Sequence, residues 1–142
     1  MKAIFKSSKR AVLAVLMCSF TLLSCDQDKL EIQQDFPFEV QVMPVPKEIA
    51  RGSTVEIRIS IAQNNSYTGA GYFIRFFQFD GNGTLQYYDQ PHYLPNDLYQ
   101  LKSREFRLYY TSQSSVSQSF DVWISDNFGN EKQLSFEFNS SD

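Results

Sequence analysis

One stretch of the sequence, residues 71–88, constrains the fold more than any other. It consists of two aromatic-rich segments joined by Asp80-Gly81-Asn82-Gly83. Asp-Gly and Asn-Gly pairs supply the positive φ angles that tight turns need, so the stretch predicts a β-hairpin. The first arm of this hairpin is apolar on both faces. Tyr72, Ile74 and Phe76 lie on one face, and Phe73, Phe77 and Phe79, interrupted by Arg75, lie on the other. A strand of this kind is either covered on both faces or leaves one apolar face exposed, where another molecule can bind.

Alternation with a period of two residues continues along the chain. The clearest case is Val55 to Ile61, in which every second residue is Val or Ile and the residues between them are polar. Similar runs occur near residues 38–42, 105–111, 118–125 and 132–138, with turn signals between them and no convincing amphipathic helix after residue 30. The sequence therefore predicts an all-β chain, a single immunoglobulin-like (fibronectin-type-like) β-sandwich of about seven antiparallel strands.

The predicted sandwich has a definite arrangement. Strands at 72–79, 84–88, 118–125 and 132–138 are expected to share one sheet, and those near residues 38, 57 and 108 are expected to form the other. The residues expected to be buried are Ile57, Ile59, Ile74, Phe76, Leu108, Val122, Ile124 and Phe136.

The first residues indicate export. Four basic residues within positions 1–10 precede an apolar run at 11–23, and Ser24-Cys25 follows. This is the pattern of a secretory signal, and the run is shorter than the roughly 20 residues of a membrane span. Because it ends at Ser-Cys, it resembles a bacterial lipoprotein signal, in which cleavage precedes the cysteine and a lipid is joined to its sulfur. An uncleaved anchor, or a plain signal followed by an incidental cysteine, is the alternative.

The expected organisation is a lipoprotein signal peptide at 1–24, a flexible tether at 25–35 and the sandwich at 36–140. The whole chain has 13 basic and 16 acidic residues, and four of the basic ones lie in the predicted signal. The mature chain is therefore distinctly acidic, which argues against binding to a nucleic-acid backbone. Cys18 would leave with the signal and Cys25 would carry lipid, so we expect no disulfide.

Residues that carry chemistry are few. His92 is the only histidine, so neither a catalytic triad nor a histidine-rich metal site can be assembled. Asp80, Asp89, Asp97 and Asp126 lie in loops or at predicted hairpin ends, where turn formation explains them. The loop that starts at Asp80 also lacks the glycine and glutamate of a calcium-binding EF-hand loop. We therefore expect no enzymatic activity, no cofactor, no metal and no small-molecule substrate.

The outward-facing aromatics remain as the candidate functional residues. The predicted partner interface consists of Phe73, Arg75, Phe77, Tyr87, Tyr88 and Trp123. Large aromatics around an arginine have the composition of a protein–protein hot spot. The alternative is that the loop at 89–103 folds over this face and makes it a second core.

Several long peptides of the chain resemble one family. Residues 36–50, 76–85, 93–99, 106–114 and 120–134 are similar to segments of the TraQ-type proteins encoded by conjugative transposons of Bacteroides-like bacteria. The resemblance covers the chain from about Ile32 onward. It implies an exported accessory component of the mating apparatus, which acts in conjugal DNA transfer and contacts other proteins of that apparatus. It brings no catalytic or ligand-binding residues.

Together with the lipoprotein signal, this resemblance places the protein in the bacterial cell envelope. The expected location is the outer membrane, anchored through Cys25, on either the periplasmic or the cell-surface side. The alternative function is a surface or periplasmic immunoglobulin-like module that binds carbohydrate or another ligand, because exposed Tyr, Phe and Trp side chains also suit stacking on sugars.

Overall fold

The computed structural model describes residues 37–63 and 69–142, which form two β-sheets and contain no helix. The predicted signal peptide and tether, including Cys25, lie outside these residues. The strands are β1 (Phe38–Val42), β2 (Glu48–Ile49), β3 (Thr54–Gln63), β4 (Tyr72–Asp80), β5 (Gly83–Tyr87), β6 (Tyr99–Leu101), β7 (Glu105–Ser112), β8 (Gln118–Asp126) and β9 (Glu131–Ser140). All seven predicted runs are strands. Two short strands, β2 and β6, raise the described number to nine instead of about seven.

The two sheets pack face to face. One has four strands in the order β1-β3-β7-β5, and the other has five in the order β2-β9-β8-β4-β6. Tyr110 of β7 stacks on Phe120 of β8 with ring centroids 4.3 Å apart. Phe38 of β1 meets Tyr72 of β4 edge to face at 5.2 Å. These contacts join opposite sheets, so the molecule is a β-sandwich with an aromatic core.

The core follows the alternation of the sequence. In β3, buried and less buried residues alternate from Val55 to Ile61, so one face of the strand points inward. All eight residues that the sequence predicts to be buried are buried in the structure, and Ile57, Ile74 and Ile124 are fully inaccessible to solvent. Each such side chain contributes roughly 1.5–3 kcal/mol through burial. The inward register predicted for these strands is therefore confirmed.

The predicted hairpin at 71–88 is wrong. β4 pairs with β8 along one edge and with β6 along the other, whereas β5 pairs with β7 in the opposite sheet. β8 pairs with β4 from Tyr72 to Asp80 on one edge, and β6 pairs with Tyr72, Phe73 and Ile74 on the other, so neither neighbour of β4 is β5. The chain instead leaves the five-stranded sheet after a bulge at Gln78–Asp80 and turns at Gly81, which has a φ of 68°.

Neither glycine of this crossover has room for a side chain, because a Cβ atom would come too close to Gln118 at Gly81 and to Tyr110 at Gly83; Gly81 meets a backbone requirement as well. Gly81 supplies the positive φ that the sequence predicts. Gly83 does not have a positive φ. Its role is steric, because a Cβ atom there would overlap the ring of Tyr110. Because Gly83 has no side chain, its backbone packs closely against that ring and pairs with β7 at the start of β5.

A buried polar cluster joins the sheets at the same end of the sandwich. The Tyr110 hydroxyl donates to Gln118 Oε1 at 2.7 Å and accepts from Gln78 Nε2 at 2.8 Å. Gln118 Nε2 donates to Ser112 Oγ at 2.8 Å. Burial raises the pKa of Tyr110, although the hydrogen bond from Gln78 opposes this. Because β7 contributes Tyr110 and Ser112 while β4 and β8 contribute the two glutamines, these bonds fix the crossover.

Candidate functional site

The outer surface of the five-stranded sheet carries an aromatic cluster, here called the aromatic face. Its members are Phe73, Arg75, Phe77 and Phe79 of β4 and Trp123 of β8. On β4 they alternate with the buried residues Tyr72, Ile74 and Phe76, so they point away from the core. Phe79 is 55% exposed, and the other four are half-buried by packing on one another and on the sheet.

Arg75 lies at the centre of this face. Its guanidinium carbon is 4.3 Å from the centroid of the Trp123 ring, directly across the strand pair, which is a cation–π contact. Its Nη2 lies 3.8 Å from Glu131 Oε2, and its Nη1 donates to Asn96 Oδ1 at 3.5 Å. The arginine is thus held flat on the sheet by three neighbours.

The phenylalanines continue the cluster toward the end of β4. Phe77 and Phe79 meet edge to face at 5.0 Å, and Phe79 lies 6.5 Å from Trp123 in a similar orientation. The rings therefore form one contiguous apolar surface on a paired strand.

Carboxylates border the aromatic face. Asp121 lies across the strand pair from Phe77 and accepts a hydrogen bond from Gln133 Nε2 at 2.6 Å. Glu131 flanks Arg75, and Asp80 follows Phe79 at the end of β4. Three carboxylates thus lie along the aromatic face, and its arginine pairs with one of them, Glu131. The surface has an apolar centre and a predominantly acidic border.

Two predicted interface residues lie elsewhere. Because β5 belongs to the four-stranded sheet, Tyr87 and Tyr88 are not beside Trp123, and their predicted place on the aromatic face is wrong. Tyr87 is half-buried against Phe106, with ring centroids 5.9 Å apart. Phe79 takes part in the face instead. Phe79 lies two residues after Phe77, so the sequence alone predicts that both side chains lie on the same face of the strand.

The loop between β5 and β6 does not bury the aromatic face. Tyr93 is buried, donates its backbone amide to Leu85 O at 2.8 Å and stacks on Tyr99 at 4.4 Å. Leu94 and Leu98 remain 61% and 60% exposed. The loop reaches the aromatic face at Asn96, whose backbone N–H donates to Phe76 O at 2.8 Å. It therefore borders the aromatic face along the edge of β4.

The residues considered for catalysis have structural surroundings. His92 is exposed and forms an isolated bridge with Gln86. Asp126 Oδ1 accepts from the backbone amides of Phe128 and Asn130 at 2.8 and 2.9 Å, which closes the turn between β8 and β9. Within 37–63 and 69–142, no three His, Cys, Asp or Glu side chains lie close enough to hold a metal ion. The same residues include no helix that would span a membrane.

Solved structures of Bacteroides proteins resemble this chain closely. A conjugative transposon lipoprotein from Bacteroides eggerthii is 44% identical over 74% of this chain and 99% of its own, with a TM-score of 0.70. A lipoprotein from Bacteroides thetaiotaomicron is 48% identical over 79% of this chain and 86% of its own, with a TM-score of 0.69. A conjugate transposon protein from Bacteroides vulgatus is 47% identical over 79% of this chain and 91% of its own, with a TM-score of 0.66.

Comparison with curated proteins gives no match. The model of one protein family, TraQ conjugal transfer protein, matches residues 9–141, which is nearly the whole chain. The extent of this match, with the long peptides shared with TraQ-type proteins and the relatives of conjugative transposons, leads to one assignment: the chain belongs to the TraQ conjugal transfer protein family.

Proposed function

We propose that this protein is an exported, lipid-anchored accessory component of a conjugative-transposon DNA-transfer apparatus, and that it docks other proteins of that apparatus. Membership of the TraQ family supports the role in transfer. The relatives from Bacteroides eggerthii and Bacteroides thetaiotaomicron are lipoproteins, which supports a lipid on Cys25 and a place in the cell envelope. The outer membrane is the part of the envelope that we propose. The aromatic face is the observation that carries the docking function.

Three properties of the aromatic face suit docking. Its tryptophan and arginine are residue types that dominate binding energy at interfaces, with three phenylalanines around them. It lies on paired strands, and the contacts of Arg75 with Trp123 and Glu131 hold its centre in place before a partner arrives. Contiguous apolar surface of this kind is costly to leave in water, so a partner that covers it gains free energy.

The acidic border specifies the chemistry of the partner. Asp80, Asp121 and Glu131 surround the rings, and the only arginine of the face is already engaged. Complementary potential across an interface favours a partner surface with apolar side chains at its centre and lysine or arginine at its edge. We therefore assign the face to a basic, apolar surface of another transfer protein.

We also propose that the protein has no catalytic activity. The carboxylates that would be needed for acid–base chemistry serve local structure: Asp80 accepts from Ser119 Oγ at 2.9 Å, and Asp126 closes a turn. Assembly by surface contacts requires no reacting group, no cofactor and no substrate.

The immunoglobulin-like class is part of the proposal. The order β1-β3-β7-β5 corresponds to strands A-B-E-D of that fold, and β9-β8-β4 corresponds to G-F-C. In this correspondence the crossing from β4 to β5 is the passage from strand C to strand D, which belong to different sheets. The short strands β2 and β6 are additions to this plan.

The docking function is tested by Phe77→Ser combined with Trp123→Ser in the full-length protein. We expect a small change in melting temperature, because neither side chain lies between the sheets, together with a loss of complex formation and of transfer frequency. Removing two hot-spot residues weakens binding by at least about tenfold. Thermal denaturation, crosslinking in mating cells and transfer counts in a complemented deletion strain give the three readouts.

The matched control is Leu94→Ser combined with Leu98→Ser. It removes two exposed apolar side chains that are not members of the aromatic face, and it is expected to leave transfer unchanged. Unfolding of the Phe77/Trp123 double variant would show that these two side chains act as a second core. The milder change Phe79→Ser, at a residue more than half exposed, then decides the docking function: normal transfer in this variant would show that the partner binds elsewhere.

A further inference from the structure

The tyrosines at the end of β5 form a surface of their own on the four-stranded sheet. Tyr88 has a φ of 48°, in the left-handed region that bulky residues rarely adopt. Gln86 Nε2 donates to the Tyr88 carbonyl at 2.7 Å, and the Tyr88 amide donates to Arg107 O at 3.4 Å. The conformation is thus imposed by its surroundings, and such residues cluster at sites of function.

A chain of rings supports the Tyr88 side chain. The Tyr87 ring lies 4.8 Å from that of Tyr88 at an interplanar angle of 78°. Tyr87 in turn packs on Phe106, which is buried in the core. Tyr88 itself is 39% exposed. An exposed aromatic ring that rests on the core in this way is already ordered, so binding a flat apolar surface against it has a low entropic cost.

Two shallow grooves meet at Tyr88 on the outer face of this sheet. One has a volume of about 370 Å³ and is lined by Gln41, Ser60 and Glu105 among others. The second has a volume of about 540 Å³, and its lining includes Thr54, Gln86 and Asp89. Each is large enough for a ligand of several heavy atoms, and both offer amide, hydroxyl and carboxylate groups beside a ring.

Charges of both signs lie at the grooves: Arg58 and Arg107 are positive, and Glu56, Glu105 and Asp89 are negative. Glu56 forms an ion pair and hydrogen bond with Arg58, and its Oε2 lies 3.6 Å from Arg107 Nη1. The hydrogen bond from Arg58, followed by the charge of Arg107, holds the pKa of Glu56 below its usual value. Because the arginines are paired, the surface selects neither a strong anion nor a strong cation. An apolar ligand would remove water from the amide, hydroxyl and carboxylate groups of the groove lining without replacing its hydrogen bonds, which is costly.

We infer that Tyr88 and its two grooves bind a neutral oligosaccharide chain, with one sugar stacked on the Tyr88 ring and its neighbours lying in the grooves. A sugar combines an apolar C–H face, which suits an exposed ring, with many hydroxyls that can pair with the amide, hydroxyl and carboxylate groups of the lining. Two grooves that meet at a central ring accommodate a chain better than a single sugar unit. This inference does not depend on the docking function, which uses the opposite sheet.

The test is an NMR titration of the isotope-labelled full-length protein in detergent. The probes are mono- and tetrasaccharides of glucose, mannose and N-acetylglucosamine, which distinguish glycan types. We expect the tetrasaccharide of one of these three sugars to shift the backbone amide signals of Gln86, Asp89 and Tyr109. It should also bind more tightly than the monosaccharide of the same sugar. Tyr88→Gly should weaken this binding at least about fivefold. Glycine accepts a positive φ without strain, so this variant is expected to remain folded.

The control is Trp123→Ser, which removes a large ring from the opposite sheet and should leave oligosaccharide binding unchanged. Asp89→Ala provides a second variant at an exposed residue of the groove, with an expected loss of affinity and an unchanged melting temperature. The inference is overturned if no probe shifts these amides at millimolar concentration, or if Tyr88→Gly binds as tightly as the wild type. Equal affinity for mono- and tetrasaccharide also contradicts it, because the second groove would then contribute nothing.

Discussion

At the scale of single residues, Gly83 shows how a backbone position can be fixed by a distant side chain. The residue lies at the start of β5, and a Cβ atom there would occupy the space of the Tyr110 ring. That ring is stacked on Phe120 and hydrogen-bonded to Gln118, so it has little freedom to move. The absence of a side chain at Gly83 is therefore a packing requirement of the core.

We predict that Gly83→Ala destabilises the protein by about 1–3 kcal/mol, because an added methyl group in a filled core forces side chains or backbone to shift. Chemical denaturation of the purified protein measures the change. Gly71→Ala is the matched control: its Cβ would lie 3.9 Å from Phe73 Cε2 and 4.0 Å from Asn127 Oδ1, which are ordinary contacts. Equal stability of the two variants would contradict the packing argument.

The sequence identifies both glycines of the crossover but not their separate roles. Positive φ at Gly81 follows from local turn chemistry, which a short peptide carries in its own residues. The clash at Gly83 involves Tyr110, which lies in β7 and comes near only through the fold. Such a long-range contact has no local signal, and for this reason the Asp-Gly-Asn-Gly segment alone predicts a hairpin.

At the scale of elements, alternation in the sequence locates the strands and their inward faces, but not their sheet partners. The eight predicted core residues are buried because a period of two places them on one face of each strand. The neighbours of β4 are β8 and β6, which come from other parts of the chain, and no residue pattern within 71–88 indicates them. Four of the six predicted interface residues therefore share a face, whereas Tyr87, the last residue of β5, and Tyr88, which follows it, lie on the other sheet.

The connection between β5 and β6 is held by Tyr93, and this gives the protein a specific response to alkaline pH. Burial raises the pKa of Tyr93 above its ordinary value of 10.0, and the nearby Tyr87 and Tyr99 add to the shift. The folded state thus keeps the proton more tightly than the unfolded state does. The stabilisation is complete below pH 10.0 and declines as the pH rises past that value, where unfolded Tyr93 ionises first.

We predict that the free energy of unfolding falls more steeply above pH 10 in the wild type than in Tyr93→Phe, which has no proton to lose at that position. Denaturant titrations at neutral pH and at successive pH values above 10 measure both slopes. Other groups, including Tyr110, also titrate in this range, so the difference between the two proteins is the informative quantity. Identical slopes would mean that the Tyr93 hydroxyl is open to solvent.

At the scale of the whole molecule, the sandwich presents two different surfaces on opposite sides. The five-stranded sheet carries the apolar aromatic face with its acidic border, and the four-stranded sheet carries the polar grooves around Tyr88. Because the core separates them, a protein and a glycan would bind without competing. A single small domain of the transfer apparatus would then connect two envelope components, provided that it is itself held at the membrane.

The proposed attachment is through Cys25, and substitution of this residue gives the last prediction. In Cys25→Ala we expect no acylation, and the protein should appear as precursor or soluble product instead of membrane-bound protein. Each buried CH₂ of an acyl chain contributes roughly 0.8 kcal/mol, so durable anchoring needs more than one chain and disappears when the attachment site is lost. Labelling with radioactive palmitate, followed by membrane fractionation, measures both effects. Cys18→Ala, a cysteine within the predicted signal, is the matched control and should still be labelled. Failure of palmitate to enter the wild-type protein would contradict the lipid anchor and leave the signal peptide as a simple export sequence.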